Sequence, residues 1–145
     1  MADAVVVDAS LAAMWAIPEE YTPRALELAD RWIRTETRLL APCLLIAEVT
    51  NALYKRVLRN ELTLATAQRA LDIVLAFAID IREEPGLAGR AMEWASTLRQ
   101  LAAYDGQYLA LAERYGCELW TGDRRLFQAA SPIARWVRWI GPVPR

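Results

Sequence analysis

The chain has 145 residues, of which 55% are hydrophobic and 24% charged, and its formal net charge is −1. This composition is typical of one folded domain. It excludes a disordered chain, and it lacks the overall basic charge that marks many nucleic-acid binders. The absence of histidine excludes Ser-His-Asp and Cys-His devices and histidine zinc sites, so any acid–base or metal chemistry must come from carboxylates.

Cysteine usage and hydropathy predict a cellular compartment. Cys43 and Cys117 fit no C-x-x-C or zinc spacing, so we expect buried thiols in a reducing environment. No apolar run approaches the ~20 residues of a membrane span, and the start, Met-Ala-Asp, lacks the basic residues of a signal peptide. We therefore predict a soluble, cytoplasmic protein without a membrane partner.

In the first half of the chain, "AVVVDAS" contains a short β-branched run that ends in Asp8 and is typical of a buried strand. Ser10 is expected to cap a helix that Pro18 ends. Thr22 and Pro23 then predict the start of a second helix. A second strand in "RLLAPCL" is followed by a strongly amphipathic helix, "LIAEVTNALYKRVLRN".

The second half continues the alternation of helices and strands. Thr63 is expected to cap the next helix, and Gly116 to close a later one. The expected order is helix "LATAQRALDIVLAFA", strand "IDIRE", helices "GLAGRAMEWASTLRQLA" and "DGQYLALAERYG", strand "CELWTGD", helix "RRLFQAA" and strand "ARWVRWIG". This pattern predicts a single three-layer α/β/α domain over residues 1–145, with a mainly parallel sheet of four to five strands.

Four acidic residues are expected to meet at one edge of this sheet. Asp8 ends the first strand, Asp123 follows the penultimate one, and Asp105 opens the helix that leads into that strand. Glu48 lies near the start of the helix after the second strand. Because chemistry in parallel sheets gathers at the carboxyl ends of the strands, we expect a shared site that binds Mg²⁺ or Mn²⁺, the hard cations that oxygen ligands prefer.

Each of these acids also has a plainer interpretation. Asp8, Asp105 and Asp123 all stand where an N-cap would serve a helix. Glu48 is the hardest to explain in this way, because a glutamate among apolar neighbours is seldom buried without a partner. The expected convergence of the four favours the metal site.

Four short motifs, "VVVDAS", "AEVTNALYKR", "YDGQYLALAE" and "TGDRRL", together resemble the PIN-domain family, specifically the VapC-type toxins of toxin–antitoxin pairs. The resemblance spans nearly the whole chain. It maps the family's acidic quartet to Asp8, Glu48, Asp105 and Asp123. Thr121 and Asn51 match polar positions beside those acids. Gly106 replaces a commoner alanine, and we expect it to loosen the helix start.

The resemblance implies a metal-dependent endoribonuclease, in which carboxylate-held Mg²⁺ or Mn²⁺ and an activated water cleave an RNA phosphodiester. It also implies a small VapB-like antitoxin, with Trp15 and Trp32 as candidate groove residues, and a homodimer. Arg124 and Arg125 are the candidate RNA contacts, whereas Lys55, Arg56 and Arg59 are at least as well explained as a solvated basic face. A stand-alone PIN nuclease of RNA processing is the alternative within the family.

Other aspartate-based enzymes fit less well. Receiver domains and haloacid-dehalogenase-type phosphatases need a lysine at the phosphoryl group, and the one lysine, Lys55, lies in the middle of a predicted helix. The phosphatase motif D-x-D is also missing. A dinucleotide-binding domain would need a glycine-rich turn after the first strand, and a pure interaction domain would not need four converging acids.

Overall fold

A computed structural model of the protein describes residues 3–142. Within that range, five strands form one sheet in the order β3-β2-β1-β4-β5, and every neighbouring pair is parallel. The strands are β1 (Ala4–Val7), β2 (Arg38–Pro42), β3 (Ile79–Arg82), β4 (Glu118–Thr121) and β5 (Val137–Trp139). The predicted α/β fold class and strand positions are confirmed.

Helices flank this sheet and connect the strands in sequence. Those in the described range are α1 (Ala9–Met14), α2 (Thr22–Arg34), α3 (Leu44–Leu58), α4 (Leu64–Ala76), α5 (Leu87–Thr97), α6 (Tyr104–Tyr115) and α7 (Arg124–Ala130). Helix α6 packs directly on the central strands, with α5 against it, while α1 contacts α2, α3 and α4. No helix among residues 3–142 is both long and apolar enough to cross a membrane.

The order of the strands determines where a site can form. The chain moves outward from β1 through β2 to β3, and then returns to the other side of β1 for β4 and β5. The direction therefore reverses at the β1–β4 pair, where the helices that follow the strands diverge and leave a crevice at the carboxyl edge. Val6 and Val7 of β1 are fully buried, so this central strand anchors the crevice in the hydrophobic core.

Several local predictions are confirmed and others are wrong. Thr63 caps α4 through its hydroxyl, and Gly116 closes α6 at φ 60°, a left-handed conformation that glycine favours. Ser10 is not the cap of α1, because the side chain of Asp8 accepts the hydrogen bond from the Leu11 N–H. Thr22 lies inside α2, where its hydroxyl donates to the carbonyls of the preceding turn.

Burial corrects the expected positions of two tryptophans and one cysteine. Trp15 is in the core, donates its indole N–H to the Ala25 carbonyl and stacks on Phe77, so it cannot line an open groove. Trp32 is also mostly buried, but it contributes to an apolar cavity of about 710 Å³ at the amino edge of the sheet, away from the acids. Cys43 is exposed, contrary to the expected buried thiol.

Gly106 lies where two helices pack closely, a role that its resemblance to a family alanine position did not predict. A Cβ at this position would lie 2.2 Å from the Ala91 carbonyl oxygen of α5, far inside van der Waals contact. The glycine therefore allows α5 and α6 to approach each other closely. Gly106 therefore lets the start of α6, where Asp105 lies, pack closely against α5, and this packing is contrary to the expected loosening.

Candidate active site

Asp8 is held rigidly at the carboxyl end of β1. Its side chain is 5% exposed. It accepts hydrogen bonds from the Leu11 N–H at 3.0 Å, from the Ser10 hydroxyl at 2.7 Å and from the Thr121 hydroxyl. One carboxylate therefore caps α1 and is fixed by two hydroxyl groups from different parts of the chain.

Asp123 is tied to Asp8 through the fully buried Thr121. The Thr121 hydroxyl donates to Asp8 and accepts from the Asp123 N–H at 2.9 Å. The Asp123 side chain caps α7 by accepting from the N–H groups of Arg125 at 2.8 Å and Leu126 at 3.3 Å. Its predicted capping role is confirmed, and Thr121 lies between the two aspartates, where the resemblance expected a polar side chain.

Glu48 reaches the same region from α3, where it is half-buried and begins the second turn. The phenol of Tyr108 donates a hydrogen bond of 2.6 Å to its Oε1 atom. Tyr108 is 1% exposed and lies on α6, one turn after Asp105. This tyrosine was missed as a functional candidate because its place in the apolar run "YLALA" indicates only core packing.

Asp105 has the weakest support of the four acids. It is the second residue of α6 and not its N-cap, which is Ala103 and makes no side-chain hydrogen bond. Within residues 3–142 its carboxylate accepts one side-chain hydrogen bond, from Nε2 of Gln100 at 3.4 Å. Gln100 was also missed, because the sequence placed it within a helix that in the structure ends at Thr97, and no motif contains it.

Burial and mutual repulsion raise the pKa of two of the acids. Burial raises the pKa of Asp8 to about 6, against the opposing effect of its hydrogen-bond donors, and the charge of Asp105 adds to the rise. The pKa of Asp105 is raised to about 6 by burial first, and then by the charges of Asp123 and Glu48. The acids are therefore close enough to perturb one another's ionisation.

In the described part of the chain, the charges of the four acids are not neutralised by basic side chains. Among residues 3–142, none of the four acids forms an ion pair with a lysine or arginine. Several uncompensated carboxylates at one edge are destabilising, and a cation would relieve the repulsion. The oxygen-only set of donors suits a hard divalent ion.

The donors are not drawn together as a finished metal cage. In the described part of the chain, no group of three or more histidine, cysteine, aspartate or glutamate side chains has the arrangement needed to hold a metal ion. The set therefore fits a divalent cation in its chemistry and charge, while its side chains stand apart.

The supporting residues fall into two places. Asn51 lies with Glu48 on α3 and lines a cavity of about 450 Å³ that α1 and Gly122 close on the other side. Arg124 and Arg125 are exposed at the start of α7, directly after Asp123. Arg124 lies over the ring of Trp139, 5.6 Å from its centroid.

Known proteins resemble this chain over most of its length. Residues 5–132 match the family model described as "PIN domain". A "VapC ribonuclease" of Mycobacterium bovis, Mb0985, is 36% identical over 132 residues, which cover 89% of this chain and 95% of that protein. An "Exonuclease VapC9" of Pyrobaculum aerophilum is 33% identical over 121 residues, 83% of this chain and 81% of that protein.

Solved structures support the same fold. The crystal structure of PAE2754 from Pyrobaculum aerophilum superposes with a TM-score of 0.71 at 28% identity, and covers 97% of this chain and 91% of that one. Mycobacterium tuberculosis VapC20, described as a sarcin-ricin loop cleaving toxin, gives a TM-score of 0.64 at 18% identity over 86% and 94%, which bears on the fold alone. By its sequence, its parallel sheet and its relatives, the chain belongs to the PIN-domain family and is of the VapC ribonuclease type.

Proposed function

We propose that the protein is a metal-dependent endoribonuclease and that Asp8, Glu48, Asp105 and Asp123 form its active site. One observation carries the proposal: four carboxylates share the carboxyl edge of the sheet without a basic partner among residues 3–142, and the pKa of Asp105 is raised by burial and then by the charges of Asp123 and Glu48. Carboxylates with strongly perturbed pKa values are found mainly at functional sites. The names of the VapC ribonucleases that match the chain support RNA as the substrate.

Mg²⁺ or Mn²⁺ bound by these acids would supply Lewis-acid chemistry at a phosphodiester. The chain itself contributes rigid support for two of the ligands. Hydrogen bonds from Ser10, Thr121 and the Leu11 N–H hold Asp8, and the backbone of α7 holds Asp123. Tyr108 orients Glu48 through its hydrogen bond to Oε1, and Gln100 donates the one side-chain hydrogen bond that Asp105 accepts within residues 3–142.

The remaining assignments concern partners and location. We propose that Arg124 and Arg125 contact RNA and that Asn51 is a supporting polar residue of the active site beside Glu48. We also propose that the whole chain, residues 1–145, is one PIN domain. A VapB-like antitoxin, a homodimer and a cytoplasmic location are proposed because the matched relatives are VapC proteins. A neighbouring reading frame for a short DNA-binding protein would support the toxin role over a stand-alone processing nuclease.

The test is a cleavage assay on purified protein with linear and circular single-stranded RNA in Mg²⁺ or Mn²⁺. We expect cleavage of both RNAs, and EDTA should abolish it. Asp8→Asn should lose activity by about 100-fold or more, since even the loss of an outer partner of a metal ligand costs about 10- to 100-fold. The control is Asp72→Asn, which removes an exposed carboxylate from α4 and should change nothing.

The circular substrate distinguishes two modes of attack. One matched relative is named an exonuclease, and an exonuclease needs a free end. Degradation of linear RNA alone would replace the endonuclease proposal with an exonuclease. Cleavage that persists in EDTA, or in Asp8→Asn at the wild-type rate, would overturn the metal site.

A further inference from the structure

The cavity beside Glu48 continues along α3 as a stripe of polar and basic side chains. Glu48, Asn51, Lys55 and Arg59 all line it. These positions are separated by three, four and four residues, the spacing that keeps side chains on one face of a helix. An acid at one end of this face is thus followed by two cations toward the other.

The charges of this stripe are not equally available. Arg56 also lines the cavity, but it is paired with Glu19 and lies 3.6 Å from Glu61. Arg59 lies 3.1 Å from the same exposed Glu61. Lys55 is exposed and makes no ion pair with any residue in the range 3–142. Lys55 is therefore the cation most available to an outside ligand, and Arg59 the next.

The position of Lys55 relative to the acids suggests the ligand. Its Cα lies seven residues along α3 from Glu48, a rise of about 10 Å, and that of Arg59 lies about 17 Å away. The opposite wall of the cavity comes from α1 and Gly122 and consists mainly of small residues. A polyanion that reaches Glu48, which of the four acids is the one lining this cavity, can follow the α3 face and meet positive charge beyond it.

We propose that the RNA backbone runs along this face of α3, with Lys55 as its principal phosphate contact and Arg59 as the second. This inference rests on the proposed function, because it takes the four acids as the point of cleavage. It assigns the substrate to the α3 side of the site, in addition to Arg124 and Arg125 on α7. Arg56 is excluded from this role because Glu19 holds it.

Binding measurements on the whole chain test the path. The probe is a fluorescein-labelled single-stranded 20-nucleotide RNA of mixed sequence, in EDTA so that binding is measured without metal-dependent turnover. Lys55→Ala should weaken binding by about tenfold, as expected for the loss of a charged hydrogen bond. It should also make the slope of log affinity against log salt shallower by about 0.7, the value for one phosphate contact on a single strand. Adding Arg59→Ala should extend both effects.

The matched control is Arg69→Ala, which removes one exposed positive charge from α4, outside the cavity. It should leave the affinity and the salt slope close to those of the wild type. If Lys55→Ala behaves like Arg69→Ala, the path along α3 is wrong. The path along α3 is also wrong if Lys55→Ala weakens binding of a protein partner and leaves RNA binding intact.

Failure of the proposed function would look different. If wild-type protein cleaves no RNA but Lys55→Ala still weakens binding and flattens the salt dependence, the groove is confirmed and the nuclease assignment fails. If the protein cleaves RNA and Lys55→Ala has no effect on binding, the nuclease assignment stands and the groove assignment fails.

Discussion

The four acids fall into two pairs that the fold supports in different ways. Asp8 and Asp123 are N-caps, so backbone N–H groups at the starts of α1 and α7 hold their carboxylates. Glu48 and Asp105 lie inside helices, and each is supported by one side chain from elsewhere, Tyr108 or Gln100. The capping pair is fixed by secondary structure, whereas the second pair depends on tertiary packing and is freer to rearrange.

This difference has a consequence for stability. A cap contributes to folding whether or not a metal is bound. A carboxylate whose pKa is raised to about 6 by burial and by neighbouring acids is a cost to the metal-free protein at neutral pH. The site therefore combines two acids that cap helices, Asp8 and Asp123, with two acids whose ionised form lowers stability, Asp8 and Asp105, so Asp8 has both effects.

The largest expected effect comes from removing the charge of Asp105. Asp105→Asn should lower RNA cleavage by about 100-fold or more, yet raise the free energy of unfolding of the metal-free protein by about 1 kcal/mol at pH 7.5, because a partly buried charge and its repulsion from Asp123 and Glu48 are both removed. Urea unfolding in EDTA measures the second effect. A variant that is both inactive and less stable than the wild type would contradict the division into pairs.

The pH dependence of stability is the next effect in size. The pKa values of Asp8 and Asp105 rise from about 4 in the unfolded chain to about 6 in the folded protein. The folded state then binds more protons between these values, so their contribution falls as the pH rises from about 4 through about 6. For buried Asp8 the loss is on the order of 3 kcal/mol.

Urea unfolding in EDTA at pH 5 and at pH 7.5 checks this dependence. The wild type should be the less stable at the higher pH, and Asp105→Asn should show a smaller difference between the two. Mg²⁺ or Mn²⁺ should restore stability at pH 7.5, because ions bind the deprotonated acids. The prediction fails if Asp105→Asn keeps the full wild-type difference.

Substitutions of two glycines in neighbouring helices test whether the packing of α5 against α6 positions Asp105. Gly106→Ala should destabilise the protein by about 1–3 kcal/mol, because the added methyl would collide with the Ala91 carbonyl of α5. Gly89→Ala, on α5, meets no atom within 4 Å and should stabilise by about 0.5–1 kcal/mol through helix propensity. Thermal or urea unfolding measures both. Equal shifts of the same sign would show that α5 and α6 do not depend on Gly106.

The smallest expected change in stability is at Asp123, where two substitutions distinguish its capping role from its role in cleavage. Asparagine is as good an N-cap as aspartate, whereas alanine is a poor one. Asp123→Asn should therefore leave stability within a few tenths of a kcal/mol, and Asp123→Ala should lose about 1 kcal/mol, while both lose RNA cleavage. If Asp123→Asn remains fully active, Asp123 is a cap and nothing more.

Most of the fold could be predicted from the sequence because its signals are local. The β-branched "AVVV", the Thr63 cap and the Gly116 helix end each follow from short-range preferences. The parallel sheet follows from their alternation, and the convergence of the acids at its carboxyl edge follows from the sheet. Asp8 and Asp123, which are fixed by local backbone contacts, were therefore placed with the fewest assumptions.

What could not be predicted depends on contacts between distant segments. The hydrogen bond from Tyr108 to Glu48 joins residues 60 positions apart, and the close approach of Gly106 to Ala91 depends on how two helices pack. The burial of Trp15 and the exposure of Cys43 were likewise set by packing. That Lys55 faces the same cavity as Glu48 could be recognised only once the packing of α1 against α3 was known.

A crystal structure of the protein soaked in Mn²⁺ tests the central proposal most directly, because anomalous scattering locates the ion without reference to activity. We expect a Mn²⁺ peak at the carboxyl edge of the sheet, bound directly or through water by Asp8, Glu48, Asp105 and Asp123, with Asp105 and Glu48 moving more than the two capping aspartates. The proposed site would be contradicted if Mn²⁺ bound only elsewhere. It would also be contradicted if no peak appeared at the four acids at a Mn²⁺ concentration that supports RNA cleavage by the same protein in solution.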